Sequence, residues 1–109
     1  MTGNKNFGKQ LKKLREAKGL SQEKLAELVG LEYQTISRIE TGLYFTSFDN
    51  LDKISKALNI SIKDLFNFSE SNYTKKEIID LINQDINSFK IDDLKNIYEI
   101  IKIYKSKIN

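Results

Sequence analysis

Apolar residues recur along the chain in seven runs at helical spacing, separated by polar or glycine-containing breaks. Phe7, Leu11, Leu14 and Ala17 fall three or four residues apart, which puts them on one face of an α-helix. Lys18-Gly19 then supplies a basic last turn and a glycine suited to a left-handed cap. Ser21 is a good N-cap with Glu23 in the first turn, so the pattern predicts a second helix from Gln22. That helix presents Leu25, Ala26, Leu28 and Val29 and stops at Gly30. A third pattern starts near Tyr33, buries Ile36 and Ile39, and ends at Thr41-Gly42; its other face is polar, with Tyr33, Gln34, Ser37, Arg38 and Thr41. After a loop from Leu43 to Thr46, Ser47 caps a fourth helix carrying Phe48, Leu51, Ile54, Ala57 and Leu58. Ser61 and Asp64 have capping-box spacing before a short fifth helix with Ile62, Leu65 and Phe66. Five short helices are thus expected over residues 6–67.

Asn67 to Tyr73 is a polar stretch containing Ser69, Glu70, Ser71 and Asn72, and it reads as a linker. Thr74-Lys75-Lys76-Glu77 is a second capping-box sequence, opening a helix with Ile78, Ile79, Leu81, Ile82 and Ile86 that Phe89 closes. From about Asp92 a last helix lines up Leu94, Ile97, Tyr98, Ile101, Tyr104, Lys105 and Ile108, with Ile100 and Ile103 widening the stripe. No run alternates as a strand would. The expected architecture is all-α: a helical domain over residues 1–67, a linker over 68–73, and a two-helix hairpin over 74–109.

Composition narrows the chemistry. The 109 residues include no His, Cys or Pro, and no Trp. Disulfides, thiolate nucleophiles, the commonest metal ligands and the commonest general base are therefore excluded. The remaining carboxylates, Lys, Ser, Thr and Tyr fall into no catalytic constellation, so neither an enzyme nor a metal site nor a cofactor is expected. The chain starts without an apolar run and has no stretch long enough to span a bilayer, so no membrane association and a cytoplasmic location are expected. The net charge of +3 is unevenly placed. Residues 1–68 carry 11 basic and 8 acidic side chains, whereas residues 69–109 carry 7 of each. Lys5, Lys9, Lys12, Lys13, Arg15 and Lys18 crowd the first helix, suited either to a polyanion or to solvent.

The residues LSQEKLAELVGLEYQTISRIETG resemble the helix-turn-helix of the Cro and phage-repressor (XRE) superfamily of DNA-binding proteins. Ala26 permits close helix contact and Gly30 permits the turn between the two helices. The likeness extends more loosely from Phe7 to Phe66, where FDNLDKISKALNISIKDLF is similar to the fourth and fifth helices of a lambda-repressor-like fold. This resemblance implies that Gln22 hydrogen-bonds a DNA phosphate from a helix N-terminus. It implies that Glu32, Tyr33, Gln34, Ser37 and Arg38 point into the major groove, where Gln34 suits adenine, Arg38 guanine and Glu32 only a cytosine amino group. Arg38 also suits a phosphate or an acidic neighbour, and Tyr33 also suits packing against the turn. Thr35, Thr41 and Tyr44 match phosphate-contacting positions, and Arg15 and Glu40 match a structural pair bridging the first and third helices. Thr46 stands where many members carry proline, which puts the rigidity of that loop in question.

The last two helices are not needed to complete a five-helix core, so their apolar residues require another surface. Ile78, Leu81, Ile82, Leu94, Ile97, Tyr98, Ile101 and Tyr104 are the expected dimerisation residues. A two-fold dimer would match a pseudo-palindromic site on double-stranded DNA. The layout resembles small bacterial repressors of the SinR kind, which implies a homodimeric repressor and a hairpin able to accept an antagonist protein. The alternatives are a protein-interaction adapter with the same fold, or a DNA-binding antitoxin whose tail holds a toxin.

Overall fold

Four helices begin where a side chain supplies a partner for backbone N–H groups that would otherwise be orphaned. The computed structural model describes residues 2–68 and 72–107 and orders them as α1 (Thr2–Ala17), α2 (Gln22–Val29), α3 (Tyr33–Thr41), α4 (Phe48–Ala57), α5 (Ile62–Phe66), α6 (Lys75–Ile86) and α7 (Ile91–Lys107), with no strand among the described residues. Ser21, Ser47, Ser61 and Thr74 are the N-caps of α2, α4, α5 and α6, each side chain accepting from the backbone N–H three residues on. At α5 and α6 the N-cap backbone N–H donates in return to Asp64 and Glu77, completing two capping boxes. The Ser61 backbone N–H, followed by the Ser61 hydroxyl, holds the Asp64 carboxyl below the usual carboxylate range.

Three boundaries differ from the apolar pattern. α1 starts at Thr2, ahead of its apolar stripe, and this first part carries Lys5, which packs directly against Gly42 at the end of α3. α6 ends at Ile86, and the chain leaves it through turns in which Ser88 and Phe89 donate to Asp85 and Ile86. Phe68, read from sequence as the start of the linker, is half-buried against the core of the first helices. Ser69 to Ser71 of that linker, and Ile108 of the last stripe, lie outside the described residues.

The chain divides into two compact units, residues 1–68 and 69–109. In the first, Phe7 and Leu11 of α1, Leu25 of α2, Ile36 and Ile39 of α3, Leu51 and Ile54 of α4, then Leu58 and Leu65 form one cluster with essentially no exposure. Burying each such side chain contributes roughly 1.5–3 kcal/mol. Phe7 closes one end, its ring centroid 5.2 Å from those of both Phe45 and Phe66. Gln10 ties α1 to α5 by donating to the Asp64 carbonyl at 2.9 Å.

Two features fix α1 against α3. Gly8 allows the backbones to meet: a Cβ there would overlap the carbonyl oxygens of Ile39 and Glu40, 2.5 Å from the former. Arg15 and Glu40 form a bidentate ion pair, Nε to Oε2 at 2.7 Å and Nη2 to Oε1 at 3.0 Å, while Nη1 donates to the Leu20 carbonyl at 2.6 Å. Both side chains are almost wholly buried. The Glu40 hydrogen bond holds the Arg15 guanidinium above its already high ordinary pKa.

The second unit is built differently. None of its described residues is buried. Ile78, Leu81 and Ile82 on α6 and Tyr98 and Ile101 on α7 are exposed, while Ile86, Leu94, Ile97 and Tyr104 are half-buried. The most extensive helix–helix packing, α1 against α3 and α2 against α3, lies in the first unit. No described helix is long and apolar enough to cross a membrane.

Two stability measurements follow. Gly8→Ala is expected to lower the urea-unfolding free energy of the first unit by about 1–3 kcal/mol through overpacking, whereas a methyl at Gly19 meets open space and only its left-handed backbone resists it. Glu40→Ala is expected to cost about 3–5 kcal/mol by stranding a buried guanidinium, while Arg15→Met with Glu40→Leu should cost less than Glu40→Ala alone.

Candidate nucleic-acid interface

Two consecutive glycine-ended helices generate the site. At the end of α2, Gly30 adopts φ +72, its N–H and that of Leu31 closing back onto Glu27 and Ala26. This motif satisfies the last carbonyls of α2 and reverses the chain. Only Leu31 and Glu32 intervene before α3, and Leu31 packs on the core. At the far end of α3, Gly42 adopts φ +83 and Leu43 donates to the Arg38 carbonyl at 2.9 Å.

Between these two ends α3 is sharply two-sided. Ile36, Ile39 and Glu40 are buried. Tyr33, Gln34, Arg38 and Thr41 are exposed on the other side, with Thr35 and Ser37 half-buried at its margins. Glu32 occupies the N-cap position with its side chain exposed and making no cap bond. Arg38 makes no ion pair among the described residues. Tyr33 is 45% exposed.

The flanking residues are placed as follows. Gln22 is the first residue of α2, half-buried, and its Nε2 donates to Glu40 Oε1 at 3.0 Å. The Thr41 hydroxyl donates to the Arg38 carbonyl at 3.2 Å, leaving its oxygen outward as an acceptor. Tyr44 is exposed beyond the cap, its backbone N–H bonded to Arg38 at 3.2 Å. Thr46 is buried, and Asn50 Nδ2 donates to its hydroxyl at 2.8 Å. A hydrogen bond thus pins the loop that lacks proline.

Spacing alone left several contributors unseen. The Gln22–Glu40 bond, the Thr46–Asn50 bond and the Gln10 tie join residues far apart or of weak local signal. Gly8 did carry a signal, since a glycine inside a helical pattern marks a close approach. No group of His, Cys, Asp or Glu able to hold a metal exists among the described residues.

Comparison with known proteins agrees with this geometry. A helix-turn-helix family model, HTH_3, matches residues 11–65. The control protein C.BamHI of Bacillus amyloliquefaciens is 45% identical over 64 residues, 58% of this chain and 79% of that protein. The restriction-modification controller protein C.AhdI of Aeromonas hydrophila superposes with a TM-score of 0.59 at 41% identity, over 61% of this chain and all of that one. SinR, a master regulator of biofilm formation solved in complex with DNA, superposes at 0.54 with 34% identity, over 56% of this chain and 98% of that one. Fold and sequence together place the chain in the HTH_3 helix-turn-helix family of transcriptional regulators.

Proposed function

We propose that the protein is a sequence-specific repressor that binds double-stranded DNA as a homodimer at a pseudo-palindromic operator. The observation that carries this reading is the two-sided α3: its apolar side is locked in the core while Tyr33, Gln34 and Arg38 stand free. Such a helix fits the major groove, where Gln34 pairs with adenine and Arg38 with guanine. Glu32 and Ser37 border that face, and Gln22, Thr35, Thr41 and Tyr44 flank it as phosphate contacts that set the register without reading sequence. The solved SinR complex with DNA supports the assignment by likeness. No chemistry on the chain calls for a cofactor.

Dimerisation rests on the second unit. Two helices with exposed apolar side chains and no buried residue lack a core of their own, and a second copy of the same unit supplies one. The same exposure favours a second reading, in which α6 and α7 hold a different protein, an antagonist or a toxin.

Selection of bound sites from a random duplex library tests both readings. The dimeric regulator predicts an inverted repeat with half-sites about 34–36 Å apart. An absence of any motif, with retention vanishing as salt rises, would favour the protein-interaction reading. Repeating the selection with Arg38→Ala should relax one base position per half-site and weaken the selected site by about 1–3 kcal/mol. Sedimentation should give a dimer for the intact chain and a monomer once Ile97 and Ile101 are both changed to Lys.

A further inference from the structure

Gln22 and Glu40 belong to different elements, yet the carboxylate that pairs with Arg15 also takes a hydrogen bond from Gln22 Nε2. Glu40 can only accept, so the Gln22 amide nitrogen must face it and the amide oxygen must turn away. One amide hydrogen is thereby committed and the other remains for a second acceptor. The first backbone N–H groups of α2, which have no acceptor within the helix, lie at the same residue. Glu40 itself is held on both sides: its side chain is 2% exposed, and Arg15 donates to both of its oxygens.

We propose that Glu40 is a positioning residue for DNA, acting through Gln22. By fixing the rotamer and the flip of the Gln22 carboxamide, it presents the remaining amide hydrogen, with the N-terminal N–H groups of α2, to a backbone phosphate. Glu40 sits in the last turn of α3, so the bond sets the distance between that phosphate contact and the base-reading helix. Phosphate contacts fix the register of a protein on a duplex, and this one is built from the same helix whose register it fixes. The inference rests on the DNA-binding reading above.

The test is a double-mutant cycle in the full chain on a mixed-sequence duplex, using Gln22→Ala, Glu40→Asp and the pair, with melting followed in parallel. Asp keeps the charge beside Arg15 but withdraws the acceptor from Gln22. Each single change should weaken binding about tenfold, the size of one hydrogen bond involving a charged group. The pair should lose no more than either alone. The salt slope should stay unchanged, because a neutral amide releases no counterions. Intact affinity in either single variant, or losses that multiply in the pair, would overturn the positioning role. Failure of the wild-type chain to retain any duplex would instead overturn the DNA-binding reading itself. If Glu40→Asp melts below the assay temperature, nuclear magnetic resonance of the wild-type Gln22 side-chain amide decides. One amide proton should shift on adding duplex while its Glu40-bonded partner stays; equal movement of both would overturn the proposal.

Discussion

The carboxylate of Glu40 is the constraint on which the arrangement of the first three helices depends. It is charged and nearly inaccessible to water, a state that is costly unless every lone pair finds a donor. Arg15 of α1 provides two, Gln22 of α2 a third, and Arg15 in turn reaches the Leu20 carbonyl in the intervening turn. One buried ion therefore links the first three helices at a single point. Removing it would leave a buried guanidinium without its partner as well as three helix ends without their common tie.

Apolar packing does the rest, and it is most demanding where α1 crosses α3. Gly8 brings the two backbones together closely enough that no side chain fits between them. Lys5 lies against Gly42 in the same way at the next contact along. α3 is thus seated on α1 over its C-terminal half, and its N-terminal half is set by the Gly30 turn from α2. A helix held at both ends presents its free side as a rigid surface, which is what a reader of base edges requires.

Much of this was legible in the chain. Caps and glycines announced the helix starts and the sharp stops: Ser21, Ser47, Ser61 and Thr74 cap as their spacing predicts, and Gly30 and Gly42 end α2 and α3. The faces of α3 followed from helical periodicity. What escaped was tertiary. Asn59 takes a left-handed φ of 54 just beyond α4, where the apolar pattern, set by its neighbours Leu58 and Ile60, gives no sign of a stop. The contact of Lys5 with Gly42 and the anchoring of Gln22 on Glu40 join residues far apart in the chain, so neither has a local signature. In the second unit the apolar pattern predicted two helices, and α6 and α7 stand where it put them, with apolar side chains exposed or half-buried.

On the proposed function, the exposed side of α3 is the surface that meets DNA. Backbone amide shifts of the labelled full chain, followed as duplex is added, test it most directly. The perturbed residues should trace Gln22, Glu32 to Arg38, and Thr41 to Tyr44, leaving the exposed lysines of α1 and the faces of α6 and α7 unmoved. Perturbations centred on α1 or on the second unit, with α3 silent, would contradict it.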